Sequence, residues 1–403
     1  MIREFNYPSP LDLMSKGIRL VEVLDGPDDE PVSCALRYHS LDSCVPYTAL
    51  SYKWGDVADS EMIYLDNKPF KAGRNLWEFL RRARRLSDRK FFWIDAISID
   101  QENTEERNHQ VALMREIYSK ASEVAVWLGP ADKGSDLAMK RINKARPKNC
   151  NKGFKPIWTR EEGKAIFALY DRGYWRRIWI VQEFILAKEV ILYCGEMIAK
   201  EQAIASVSDQ LEQALRSGRI QHHPFAEKVL YSFASDIIRQ RNAWKELPDE
   251  AKGFTLTRLL QISQHMESAD NRDRVYGLLS LINGTEVDSF NITADYSKTP
   301  LDIYRQLLQS LSSRKDMPSS HVEVFAQLLR QVLGLDLLNL RVDGVSNKLF
   351  AQEIYPWRLP NSKLHFETPH NATTLRIWGW PIGRSTNVLR SGKRTHTKNL
   401  VVF

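Results

Sequence analysis

One carboxylate stands out in the segment "DRGYWRRIWIVQEFILAKEV", residues 171–190. The spacing predicts an amphipathic helix, yet Glu183 falls among aromatic rings and a run of aliphatics. Trp179 and Glu183 are four apart, and residues four apart on a helix stack on one face. An acid beside such rings is partly desolvated, so it must find a hydrogen-bonding partner or titrate above its ordinary range. Spacing alone leaves two readings open. Either the shielded carboxylate serves chemistry, or it pairs with Arg176, Arg177 or Lys188 to fix the helix. A second group lies in "LSYKWGD", 50–56, where Ser51, Tyr52, Trp54 and Gly55 gather at the predicted end of a strand. Such residues are placed to meet a ligand, although Gly55-Asp56 is also ordinary turn chemistry.

The elements that must position these residues follow from periodicity. Residues 17–40 alternate apolar and polar on both sides of "DGPDDEP", a hairpin signature. "YTALSYKWGD", 47–56, reads as a strand, and "EMIYLDNKPFKAG", 61–73, as a small hairpin turning at "DNKP". A helix follows over about 74–86. "KFFWIDAISIDQ", 90–101, reads as a strand buried on both faces. The next helix has Thr104 as its expected cap, with Glu105 and Glu106 in the first turn where the helix dipole favours negative charge. "EVAVWLGP", 123–130, and "EVILYCGE", 189–196, are further strands on either side of the helix that carries Glu183. Strands alternating with helices imply parallel pairing, hence an open parallel α/β sheet flanked by helices, with ligands at the carboxyl ends of the strands.

Beyond 197 the pattern becomes helical, and the last sixty residues read as short strands and turns. The expected organisation is an N-terminal hairpin over 1–44, an α/β domain over 45–200, a helical region over 201–345 and a β- and turn-rich segment over 346–403. The chain has 403 residues and a net charge of +7. The positive charge is dispersed; its densest run, "RRARRLSDRK" at 81–90, reads as the solvated side of a helix, so nucleic acid is not the expected partner. No apolar stretch is long enough for a membrane helix and no secretory signal opens the sequence, so a cytoplasmic location is expected. Cys34, Cys44, Cys150 and Cys194 match neither zinc nor redox spacing. No Gly-rich phosphate loop, HExxH or GxSxG is present, and His109 and the pair His222-His223 read as surface residues.

"YTALSYKWGD", "FFWIDAISIDQENTEERNHQVALMREIYSKASEVAVWLGP" and "RGYWRRIWIVQEF" resemble, in order, the three signature blocks of the fungal heterokaryon-incompatibility (HET) domain. "NRDRVYGLLSL" and "ADYSKTPLDIY" resemble segments that commonly follow it. The cysteine usual in the second block is Ser98 here, and the usual asparagine is Asp100. More distantly, the domain resembles TIR domains: "LSYKWGD" is similar to a TIR first strand, and Trp179-Ile-Val-Gln-Glu183 to the Trp-x-x-x-Glu pattern of a TIR helix. The resemblance implies a TIR- or flavodoxin-like sheet and a cell-death effector that cleaves NAD at the nicotinamide–ribose bond, with Glu183 as the catalytic glutamate. NAD would then be the substrate, with Ser51, Tyr52, Trp54 and Gly55 on one wall, Asp95 and Gln101 on another, and Trp54 or Trp179 stacked on a ring. A carboxylate stabilises the cationic sugar as neutral nicotinamide leaves, so neither a metal nor a further cofactor is expected. Other TIR domains are adaptors. The alternative is therefore a non-catalytic module acting by self-assembly or on a partner protein.

Overall fold

The computed structural model describes residues 5–56, 58–86, 91–145, 158–218, 220, 223–249, 252–312, 319–335, 365–367 and 376–378. The chain opens with the predicted antiparallel hairpin, β1 (Gly17–Val23) and β2 (Ser33–Ser40). β3 (Thr48–Tyr52) is buried at every position, as expected of a strand covered on both faces. β4 (Ser60–Leu65) and β5 (Lys68–Gly73) form the second hairpin. Asp66 and Asn67 turn it with φ of 47° and 61°, a left-handed pair that short Asx side chains tolerate. α1 (Arg74–Arg84) leads to β6 (Phe91–Trp93), α2 (Asp95–Ser98), α3 (Thr104–Lys120) and β7 (Glu123–Trp127). α4 (Ser135–Asn143), α5 (Arg160–Tyr170) and α6 (Ile180–Ile185) precede β8 (Val190–Cys194) and β9 (Met197–Lys200).

These strands make one nine-stranded sheet in the order β5-β4-β2-β1-β6-β3-β7-β8-β9. At its centre β6, β3, β7 and β8 run parallel; in chain order they stand 2-1-3-4, the arrangement of a doubly wound sheet. The N-terminal hairpin extends the sheet, because β1 pairs antiparallel with β6. Each face carries a core. Leu50, Tyr52, Phe79, Phe92 and Trp127 pack under α1 on one side. Ala49, Trp93, Tyr118 and Val124 pack with α3, α6 and the following helices on the other.

The helical region comprises α7 (Glu201–Arg216), α8 (Ala226–Leu230), α9 (Phe233–Glu246), α10 (Leu256–Ser263), α11 (Asp273–Tyr276), α12 (Gly284–Phe290), α13 (Pro300–Ser312) and α14 (Ser319–Val332). Its buried residues belong to the same core as the second sheet face. Met1–Arg341 is one compact unit. In Val342–Phe403, β10 (His365–Glu367) pairs antiparallel with β11 (Arg376–Trp378); the rest of the expected β- and turn-rich segment lies outside the described residues. No helix among the described residues is long and apolar enough to cross a membrane.

Several local expectations change. The strand expected over 90–101 ends at Trp93, because the Ser98 hydroxyl accepts from the Ile94 amide at 3.1 Å and the backbone curls into α2. Asn103, not Thr104, caps α3, accepting from the amides of Glu105 and Glu106. Glu106 then turns inward to Arg19. The arginines of α1 are not all solvated. Arg82 and Arg84 are buried, Arg82 donating to Glu196 and Arg84 to the Glu30 carbonyl, so they tie the helix to neighbouring loops. His109 is half-buried and His223 buried, while His222 lies outside the described residues.

The segment with Glu183 departs most from its expectation. In place of one helix, Gly173–Arg176 forms a 3₁₀ turn, Arg177 is extended, and α6 begins at Ile180. Every residue of α6 is buried. β3 and α3 cover one side and the helical region the other, so its sequence lacks the polar stripe that would mark a surface helix.

Candidate ligand cleft

β3 and β7 are neighbours whose following connections leave in opposite directions. β3 leads back to β6, while β7 leads on to β8. Loops beyond their carboxyl ends therefore part, and a cleft of about 350 Å³ opens there. Lys53 and Gly55 come from β3, Trp127 to Asp132 from β7, Asn75 from α1, and Arg172, Gly173 and Tyr174 from the broken helix. Asn75 joins the two strand ends: its amide donates to the Lys53 carbonyl at 2.6 Å, and its side-chain oxygen accepts from the Trp127 indole at 2.9 Å. A smaller cavity of about 220 Å³ shares Gly55, Asn75 and Pro130 with it and adds Asp56, Asp59, Arg74 and Glu78.

The cleft wall is shaped by close backbone approaches. Gly129 has φ +104°, and an added Cβ would meet Arg172 and Asn75 at about 3.5 Å. Gly195, in the β8–β9 turn, has φ +53° and donates its amide to the Gly129 carbonyl at 3.0 Å. A Cβ there would lie 2.7 Å from the Ala131 Cβ and 2.9 Å from its amide nitrogen. Gly195→Val is expected to lower unfolding free energy by about 2 kcal/mol, from the left-handed backbone and the overpacking together, as read by urea denaturation. An unchanged urea midpoint would mean that this contact does not shape the loop.

Beneath the cleft lies a buried polar cluster. Glu183 is only 1% exposed. Its carboxylate accepts a short hydrogen bond from the Ser51 hydroxyl, and Arg177 Nη1 stands 3.6 Å away. Ser51 Oγ is also 2.8 Å from the Tyr174 hydroxyl, and Tyr174 lines the cleft. A chain of hydrogen-bonding groups thus runs from the cleft wall to the acid. Burial pushes the Glu183 carboxyl up to about 7; Arg177 and the Ser51 hydrogen bond oppose this, and the nearby Asp95 charge adds to it. The same Arg177 donates to the Tyr52 carbonyl. Asp95 lies under Trp54, whose indole donates to it at 2.8 Å, and Gln101 donates to the Asp95 carbonyl at 2.9 Å. Burial also raises the Asp95 carboxyl, with Arg177 and the Trp54 bond pulling it down.

The residues expected to form a site thus fall into several places. Gly55 lines the cleft. Ser51 and Glu183 meet below it, and Tyr52, Trp54, Asp95 and Gln101 form a connected group at the end of β6. Trp179 is corrected: it caps α6 and faces the helical region, with Gly277 against its ring and its indole on Asp273, so it stacks on nothing in the cleft. Glu183 is corrected in part: it is shielded as expected, but Ser51 and Tyr174 stand between it and the cleft, and Arg177 is its ion-pair partner. Lys53, Asn75, Gly129 and Arg172 were missed. Lys53 and Arg172 lie inside the quoted stretches 50–56 and 171–190 without standing out there, and Gly129 had only the Gly-Pro closing its strand as a signal.

Two cations reach the cleft. Arg172 is committed, donating to the Leu128 carbonyl at 2.7 Å and pairing with Asp132 at 2.8 Å. Lys53 is half-exposed and pairs loosely with Glu267 at 3.8 Å. Among the described residues no group of three His, Cys, Asp or Glu side chains is arranged to hold a metal ion.

Residues 47–183 match the family model "Heterokaryon incompatibility protein (HET)". The match runs from the start of β3 to Glu183 and so takes in the central parallel strands up to β7, the cleft residues and the buried cluster. This segment is a HET domain. Over 321 residues the chain is 26% identical to "Heterokaryon incompatibility protein 6, OR allele" of Neurospora crassa, covering 66% of this chain and 47% of that protein. The chain thus spans about half the length of the curated relative it matches. No solved structure matches the chain. In this HET domain Ser98 is buried, with its hydroxyl accepting from the Ile94 amide, and Asp100 accepts from the Glu102 amide, so both act within the loop that supports Asp95.

Proposed function

We propose that the protein is a cell-death effector of the heterokaryon-incompatibility type whose HET domain binds a nucleotide, NAD, in the cleft beyond β3 and β7. The observation that carries this reading is the cleft itself. It lies at the switch point of the sheet, with Lys53 at its edge and Tyr174 linked through Ser51 to a buried acid. An ammonium at the mouth of a cleft whose walls include Gly55, Gly129 and Gly173 suits phosphate oxygens, because the backbone can approach them closely there. The chemistry open to such a complex is cleavage of the nicotinamide–ribose bond. Positive charge would build on the sugar as neutral nicotinamide leaves, a carboxylate in a low-dielectric setting would stabilise it, and water would add to the ribose carbon and lose a proton. In the arrangement described, Glu183 acts at one remove, through Ser51 and Tyr174. For the acid to touch ribose, Ser51 and Tyr174 must move aside.

A second reading rests on that same pairing. Glu183 is sealed and matched to a cation, as a structural acid would be. On this reading the domain holds its ligand without turnover and acts by assembly.

The test is to incubate the purified protein with NAD, following free nicotinamide, and to measure NAD binding in parallel. Catalysis predicts release that falls by about a hundredfold or more in Glu183→Gln while binding persists. Binding that weakens in Lys53→Gln, with no release by the wild type, supports the assembling module. Failure of NAD to bind overturns the nucleotide reading altogether.

A further inference from the structure

The segment that carries Arg177 is held by the helical region. Glu267, between α10 and α11, accepts from the Ile178 amide at 3.0 Å and donates its own amide to the Arg176 carbonyl at 2.5 Å, a parallel bridge opposite Arg177. Its side chain reaches the other way, to Lys53 Nζ at 3.8 Å. Lys53 is pressed close on that side, since a Cβ on Gly173 would come within 2.7 Å of its nitrogen. One residue therefore clamps the backbone on either side of the acid's ion-pair partner and reaches the lysine at the cleft edge.

We propose that Glu267 is an internal anion that competes with a phosphate-bearing ligand for Lys53, and so couples the helical region to occupancy of the cleft. This rests on the reading that the cleft binds a nucleotide. Both side chains are about half exposed, so their attraction is modest and screened by salt. When a ligand phosphate takes the Lys53 ammonium, the Glu267 carboxylate is released to water, while its backbone bonds remain. Glu267 is a positioning residue and does not touch the ligand. Because its amide and carbonyl make the backbone bridge, Glu267→Gln removes the charge and keeps the clamp.

The experiment measures NAD affinity of the whole chain by equilibrium titration at low and high salt. Glu267→Gln is expected to bind about two- to fivefold tighter than the wild type at low salt, with the difference shrinking at high salt. Lys53→Gln should weaken binding, and adding Glu267→Gln to it should change nothing further. Glu212→Gln removes an equal charge from an exposed pair with Arg216 on α7 and controls for net charge. Equal tightening by Glu212→Gln, or no change in Glu267→Gln while Lys53→Gln still weakens binding, overturns the competition and leaves the nucleotide reading standing. No binding by any of the proteins overturns both.

Discussion

Arg19→Met is expected to lower the unfolding free energy by about 3–5 kcal/mol, the cost of leaving one buried charge unpaired. The Arg19 and Glu106 side chains are essentially sealed, at 0% and 2% exposure. Their contact is bidentate, Nη1 to Oε1 at 2.5 Å and Nη2 to Oε2 at 2.9 Å. Arg19 also donates to the carbonyls of Ser98 and Ser9 and lies over the Tyr7 ring at 4.5 Å. Glu106 additionally accepts from the Asp100 amide at 2.7 Å. The pair therefore fastens β1 to the loop after α2, which is the loop that supports Asp95. Removing only the cation strands a carboxylate in a low-dielectric core with no water to replace it. Replacing both partners with apolar side chains of similar volume should recover much of the loss, since the desolvation cost of both charges then disappears. Urea midpoints of Arg19→Met, Glu106→Leu and the double variant supply the comparison. Single losses below about 1 kcal/mol, or a double loss equal to their sum, would show that the pair is not a coupled buried unit.

The second large effect concerns pH. The Glu183 carboxyl rises from its ordinary 4.5 to about 7 in the folded protein, chiefly through burial. The native state thus holds this proton more tightly than the unfolded chain does. The stabilisation is fully present below about 4.5 and is lost as pH rises through about 7. The difference between these values corresponds to about 3 kcal/mol. Glu183→Gln removes the titration while keeping shape. Between pH 5 and pH 8 the variant should gain about 3 kcal/mol relative to the wild type, read from urea unfolding at each pH. The lost pairing with Arg177 shifts the variant by a nearly constant amount and leaves the slope difference intact. Asp95 is raised in the same direction, so it adds slope of the same sign to both proteins. Parallel stability profiles for the two proteins would mean that Glu183 titrates alike folded and unfolded, and that the buried cluster is wetter than its geometry implies.

Much of the fold was legible because its signals are local. Both hairpins, the alternation of strand and helix from Thr48 to Cys194 and the helical character after 200 follow from period-2 and period-3.6 patterns. Errors arose where side chains overrode those patterns. Ser98 ended β6 early, Asn103 took the cap from Thr104, and the helix expected through Glu183 broke at extended Arg177. That break was hidden because α6, buried at every position, carries no polar face to mark where its helix begins.

The site divides the same way. Sequence by itself determined that a shielded acid lies four residues after a tryptophan, that hydroxyl, aromatic and glycine residues end the first parallel strand, and that the blocks containing them are those of a HET domain. Tertiary structure alone decided that Ser51 and Arg177 hold Glu183, that Trp179 faces the helical region, and that Lys53, Asn75 and Arg172 line the cleft. The reason is distance along the chain. Ser51 and Glu183 are 132 residues apart, and Asn75 and Trp127 are 52 apart. A carboxyl's charge depends on which neighbours the folded chain brings within a few ångströms and how much water it excludes, and neither is encoded in local spacing.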